Sequence, residues 1–234
     1  MNRTRWIVFI LICVATLGGL VVFSKKDSVN VDNTDATKII SDSATTIGDH
    51  VYGNASSKVV LFEYGDLQCP SCGGAYPQIK TIKEQYIGQI AFVFRDFPLT
   101  TLHPNALAAA TAAEAASLQG KFWEMHNKLY ENQDAWNTLD TSKRTDAFVG
   151  YAKDIGLNTD TFQKDLSDPR VNEKINRDRA LGKKLGINAT PTFYINNDKV
   201  DAATSSDVVQ GSGDQLRTKL DAALKANGIT PPTR

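Results

Sequence analysis

Two cysteines separated by two residues, Cys69-Pro70-Ser71-Cys72, are the part of this 234-residue chain best suited to chemistry. Thiols at this spacing can close on each other as a disulfide, share a metal ion, or lie near each other unused. Glu63 stands just upstream, directly after the apolar run Val59-Val60-Leu61-Phe62. A closed zinc site takes four thiolate or imidazole ligands. The third cysteine, Cys13, lies in an apolar N-terminal stretch, and His50, His103 and His126 are scattered without paired ligand spacing. No metal is therefore expected. Nor can one pair act as the disulfide scaffold of a domain this large.

The segment after Cys69 has helical character, with Ala75, Ile79, Ile82 and Tyr86 at helical spacing and Gly88 available to end it. Pro70 suits a first helical position because it has no N–H to leave orphaned. A thiol at residue 69 then sits over unpaired N–H groups at the positive end of the helix dipole, where an anion is stabilised. An ordinary thiol is only about 3 % ionised at pH 7, whereas reactive Cys-x-x-Cys thiols titrate far lower. A stabilised thiolate favours the reduced pair and makes the disulfide an oxidant, by roughly 30 mV per pKa unit. Cys72, one turn further in, is expected to be more buried. Burying the Glu63 carboxylate without a partner raises its pKa, so that it can exchange a proton with a nearby thiol.

The elements around these residues read in order as follows. Residues 1–5 precede an apolar stretch, 6–23, close to the roughly 20 residues that span a bilayer. Arg3 and Arg5 before it nearly balance Lys25 and Lys26 after it. It is longer than a secretory apolar core, which favours an uncleaved anchor over a cleaved signal. Residues 24–48, rich in Ser, Thr, Asp and Asn, read as a flexible tether. A folded domain follows over 49–229, with 230–234 as a tail. Within it, Val59–Phe62 and Ile90–Arg95 read as strands flanking the helix after the cysteines, the pattern of a parallel pair. Residues 102–186 are mostly helical. A strand returns at Thr192–Ile195, Lys199-Val200 starts its hairpin partner, and a last helix carries Leu216, Leu220 and Leu224. An X-Pro bond is trans about 95 % of the time, so Thr190-Pro191 is not expected to be cis on local grounds. Twenty-six basic and 26 acidic residues cancel, which leaves no charge for nucleic acid.

This ordered set resembles the DsbA-type thiol–disulfide oxidoreductases of the thioredoxin superfamily. The resemblance rests on Cys69-Pro70-Ser71-Cys72 at a strand-to-helix junction, Glu63 before it, and Thr190-Pro191 before a late strand. Phe97-Pro98-Leu99, His103-Pro104 and Gln119-Gly120-Lys121-Phe122-Trp123 add to it. It implies an α/β thioredoxin fold with a helical domain inserted between its halves, preceded here by an N-terminal transmembrane helix. It also implies that Cys69 is the nucleophile, Cys72 the resolving thiol and Glu63 the buried acid. Pro191 would be a cis-proline beside the disulfide, and the Thr190 backbone would pair with the substrate chain. The redox-active disulfide needs no other cofactor.

The same resemblance implies a single-pass bacterial membrane protein whose catalytic domain faces out of the cytoplasm. Its substrates would be reduced exported proteins. A quinone-linked membrane partner, DsbB-like or VKOR-like, would reoxidise it. No dimerisation domain is evident, so a monomer is expected. The best-known strong oxidants of the family carry Pro-His between the cysteines, whereas this chain has Pro70-Ser71, which brings no imidazole. A reductase or isomerase is therefore an alternative. A different class is a binding protein whose cysteine pair is a structural staple or a metal-delivery site.

Overall fold

The computed structural model describes residues 29–32 and 34–233. The chain divides into two units, 1–30 and 31–234, and the fold is that of the second. The stretch 6–23, read as a transmembrane anchor, lies outside the described residues. Among the described residues no helix is long and apolar enough to cross a membrane.

Strands β1 (His50–Gly53) and β2 (Val60–Gly65) precede helix α1 (Pro70–Gln85), which leads to β3 (Ala91–Asp96). Helices α2 (Ala106–Ser117), α3 (Phe122–Glu131), α4 (Gln133–Trp136), α5 (Thr141–Asp154), α6 (Thr159–Asp165) and α7 (Pro169–Lys184) follow. The chain returns through the hairpin β4 (Thr192–Ile195) and β5 (Asp198–Lys199), then ends in α8 (Ala202–Gln210) and α9 (Asp214–Ala226). The strands form one mixed sheet in the order β1-β3-β2-β4-β5. β2 and β3 run parallel, while β1 on β3, β4 on β2 and β5 on β4 are antiparallel.

β2 and β3 are central because neither has a wet face. Residues 61–65 of β2 and all six residues of β3 are buried, so both read as continuous rather than alternating apolar runs. β2 extends past Phe62, which places Glu63 inside the strand, opposite Phe94 on β3 and Phe193 on β4. α1 starts at Pro70 and buries a stripe of Cys72, Ala75, Tyr76, Ile79, Ile82 and Lys83. The alanines of α2 are buried on several sides of the helix, because methyl groups let neighbouring helices approach closely.

The expected flexible tether, 24–48, is corrected by the structure from Val31 onward. Arg95 is fully buried in β3 and needs acceptors for its guanidinium. It donates to the carbonyls of Ala36 and Lys38 and to both carboxylate oxygens of Asp49. Lys184 donates to the carbonyls of Val31, Asp32 and Thr34 at 2.8–3.2 Å, and Arg177 to that of Ile47. A segment without apolar periodicity is thus held through its main chain, and the packed domain begins well before Asp49.

β1 and α8 were not legible from the sequence. β1 is a four-residue edge strand with no fully buried residue. α8 buries only Thr204 and Val208, although Asp201 caps it by accepting from Thr204 N–H at 2.9 Å. The last helix starts at Asp214 after Gly213, whose φ of 75° suits a residue without a Cβ.

Candidate active site

Cys69 is the N-cap of α1, with φ −66° and ψ 125°, and Pro70 is the first helical residue. Its own carbonyl accepts from Gly73 N–H at 3.0 Å, so the thiol hangs at the open end of the first turn. Cys69 is 6 % exposed and Cys72 fully buried, and neither is bridged. The Cys69 Sγ donates to the Thr190 carbonyl at 3.4 Å. The Thr190-Pro191 bond is cis, as the family resemblance implied and local statistics did not.

The two thiols are driven in opposite directions. The hydrogen bond from Cys72 is the main cause that pulls Cys69 down to about 5. Burial works against it, while Thr190 and the N–H groups of Cys72 and Ser71 assist. Cys72 is pushed well above the ordinary thiol range, first by burial and then by the Cys69 side chain. At neutral pH the Cys69 sulfur is a thiolate, which ends its donation to the Thr190 carbonyl, and the Cys72 sulfur holds its proton.

Beneath them lies a second pair of perturbed groups. Glu63 is 3 % exposed, and burial raises its carboxyl to about 8 against the attraction of Lys83. Lys83 is 2 % exposed, and burial lowers its ammonium to about 8 against the attraction of Glu63. The Lys83 Nζ has no hydrogen-bond partner among the described residues. It lies 4.5 Å from the Trp123 ring centre and 4.7 Å from that of Tyr52. The His126 ring is only half satisfied. Its Nδ1 meets Asn127 Oδ1 at 3.2 Å, while Nε2 is buried without a partner among the described residues. Burial, then the Lys83 charge, holds its imidazole well below the usual histidine range.

The loop before the cysteines is fastened to the helices. Gln133 on α4 donates to the carbonyls of Leu67 and Cys69 at 2.8 and 3.1 Å. Gln68 donates to the Asn137 carbonyl and accepts from Asn105 N–H, both at 2.6 Å. Asp66 accepts from Gln68 N–H at 2.8 Å and Leu99 N–H at 2.9 Å, and it pairs with His103 Nδ1 at 2.7 Å. Alongside, a groove of about 480 Å³ opens between Pro70, Gly73 and Gly74 on one side and residues 130–135 on the other.

Of the residues singled out from the sequence, Cys69, Cys72 and Thr190 meet directly, and Glu63 is coupled to both thiols through its charge. Pro70 and Ser71 face solvent, and Ser71 acts on Cys69 through its N–H rather than its hydroxyl. Pro191 is half-buried. Lys83, Asp66, His103 and Gln133 were missed as site residues. Lys83 did leave a signal, since it continues the stripe of Cys72, Ala75, Ile79 and Ile82 as a charge on an apolar face.

Residues 45–212, more than half of the chain, match the family model described as thioredoxin. The chain belongs to the thioredoxin family. Among solved structures, this thioredoxin-family chain is similar to a thioredoxin-like oxidoreductase from Silicibacter pomeroyi DSS-3. That match has 26 % identity and a TM-score of 0.58, over 76 % of this chain and 92 % of the other. It also shares its fold with the thiol–disulfide exchange protein alpha-DsbA2 from Wolbachia pipientis. There the identity is 24 % and the TM-score 0.62, over 75 % of this chain and 87 % of the other. These matches show a fold shared with a thioredoxin-like oxidoreductase and with a thiol–disulfide exchange protein. Among curated proteins, it is 35 % identical over 179 residues to the Na(+)/H(+) antiporter NhaA 1 of Salinispora arenicola. That alignment covers 74 % of this chain but only 26 % of the antiporter. The chain thus spans about a quarter of that relative's length, and the antiport in its name belongs to the larger protein.

Proposed function

We propose that this protein is an extracytoplasmic dithiol oxidase that passes a Cys69–Cys72 disulfide to exported proteins. The observation that carries this reading is the opposed ionisation of the two thiols beside the Thr190 carbonyl. A substrate thiolate attacks Cys69 Sγ, the Cys69–Cys72 bond breaks, and its electron pair passes to Cys72. A second substrate thiolate then attacks the mixed disulfide and expels Cys69, which leaves readily because its thiolate is stable. Glu63, titrating at about 8, supplies and removes the proton of Cys72. The Thr190 backbone pairs with the client chain as an added strand, with the groove beside Pro70 to receive it. The domain is a monomer, anchored by 6–23 in a bacterial membrane and reoxidised by a quinone-linked membrane partner. Its disulfide is the sole redox group, with no metal and no nucleic acid involved.

The pH dependence has a definite sign. The Cys69 pKa is depressed, so the advantage of the reduced form is complete above about 9. It shrinks as pH falls and is gone below about 5. Oxidation of a reduced, unfolded exported protein tests the reading. Cys69→Ser is expected to abolish it, and Cys72→Ser to accumulate protein–substrate mixed disulfides. Normal oxidation by the Cys69→Ser variant would sink the proposal. Ser71, which brings no imidazole to the thiolate, favours a weaker oxidant. A redox potential close to that of a cytoplasmic thioredoxin, about −270 mV, would instead make the protein a reductase or isomerase.

A further inference from the structure

Opening the disulfide requires Cys72 to leave as a sulfur anion at a site no water reaches. Cys72 is fully buried, and an anionic sulfur there needs a donor supplied by the protein. One main-chain donor points at it: Asp66 N–H lies 3.5 Å from the Cys72 Sγ. The same contact is the one influence that draws the Cys72 thiol down against burial and the Cys69 and Glu63 side chains.

Asp66 is 1 % exposed, and each of its polar atoms is engaged. Its carbonyl accepts from Cys69 N–H at 3.0 Å and from the Tyr130 hydroxyl at 3.5 Å. One carboxylate oxygen accepts from Gln68 N–H, and the other from Leu99 N–H and His103 Nδ1. With the carboxylate ionised, Nδ1 carries the proton, because a carboxylate only accepts. His103 is the shortest of these three contacts and the only side chain among the donors. Asn105, two residues further along, is bonded to Gln68, beside Cys69. Asp66 is therefore held from the β3–α2 connection through its carboxylate, while the peptide plane that carries its N–H is held where the Gly65 carbonyl accepts from Phe97 N–H at 2.7 Å.

We propose that the Asp66 main-chain N–H is the donor that receives the Cys72 sulfur as the disulfide opens, and that His103 is the positioning residue that holds it there. This assignment rests on the thiol–disulfide exchange reading above. In the step concerned, the incoming thiolate forms a bond to Cys69 Sγ, and the Cys69–Cys72 bond breaks. The electron pair moves to Cys72 Sγ, which Asp66 N–H meets before the sulfur takes a proton from Glu63. The arrangement acts as an anion hole for sulfur, set in advance of the charge it stabilises.

The test is the rate at which dithiothreitol opens the Cys69–Cys72 disulfide in wild type and two variants. His103→Ala is expected to slow opening about tenfold, the scale of a lost hydrogen bond to a charged group. His103→Asn, whose amide can still donate to Asp66, is expected to recover most of the rate. A second measurement leaves His103 in place. In the Cys69→Ser protein, the Asp66 amide proton shift should follow the titration of Cys72. An opening rate within about twofold of wild type in folded His103→Ala would overturn the proposal. So would an Asp66 amide that ignores Cys72, a measurement that decides the matter if His103→Ala does not fold. If the wild-type disulfide itself failed to exchange, the broader reading would fall first.

Discussion

Lys174 and Lys83 are both helical lysines withdrawn from water, at 0 % and 2 % exposure, yet they titrate in opposite directions. Lys174 on α7 lies beside three carboxylates: Asp178, Glu114 at 3.6 Å and Asp49 at 3.8 Å. Burial alone would lower its pKa, but those anions hold it above the ordinary lysine range. Lys83 on α1 has aromatic rings around it and no hydrogen-bond acceptor among the described residues, and burial lowers it to about 8. The same contrast runs through their neighbours. Glu114 is held down to about 2, where burial is outweighed by His50 and Lys174, whereas Glu63 rises to about 8. Asp49 stays below the usual carboxylate range under the pull of Arg95, despite its burial. Asp96 departs from its own cluster, since burial and Glu114 push it well up and it joins the network as a neutral acid. Burial sets the cost in both regions, and the partner decides whether a group keeps a fixed charge or titrates near neutrality. The first outcome anchors the 31–49 segment; the second suits proton exchange with a thiol.

The sharpest way to break this comparison is to remove one cation from the paired cluster. Lys174→Met leaves Asp49, Glu114 and Asp178 facing one another without their shared counter-ion. The expected cost is about 3–5 kcal/mol in urea unfolding at pH 7. A loss below about 1 kcal/mol would mean that the cluster is not held by charge. A smaller effect is expected at Glu63, and it depends on pH. The folded pKa of this carboxyl is raised, so its presence costs nothing below about pH 4.5. The cost grows as pH rises and levels off above about 8. Glu63→Leu should therefore gain stability over wild type across that window, by a few kcal/mol at its upper end. A difference between the two proteins that stays flat from pH 4.5 to 8 would show that Glu63 is not desolvated in solution.

How far the sequence could be read follows the same division. The central strands and α1 were legible, because continuous apolar runs and a Cys-x-x-Cys at a strand-to-helix junction are local signals, whereas the meeting of Cys69 with Thr190, 121 positions apart, was implied only by the family resemblance. The hold of Arg95 on Ala36 and Lys38 was not, because main-chain carbonyls carry no residue identity and the partners lie 59 and 57 positions apart. Asp66 and His103 are 37 positions apart, and nothing in the local pattern around either residue points to the other. Lys83 was legible in principle. It stands where the α1 stripe calls for an apolar side chain, but periodicity alone does not say what lies across the sheet.

The smallest expected effect is the most informative about the site. Lys83→Met replaces a buried ammonium that lacks an acceptor with an apolar side chain of similar length. The folded pKa of Lys83 is lowered, so the ammonium costs stability fully below about pH 8 and not at all above about 10.5. At pH 7 the substitution relieves that cost and gives up the contacts with Trp123 and Tyr52, each worth about 0.5–2 kcal/mol. The two nearly cancel, and the variant is expected within about 1 kcal/mol of wild type, on either side. The exchange reaction should respond where stability does not. Glu63 loses the one attraction that opposes its burial, so its titration moves further up. The pH midpoint of disulfide opening governed by Glu63 should move up with it. A loss as large as that from Lys174→Met would instead make Lys83 a structural cation, and the distinction between the two clusters would collapse.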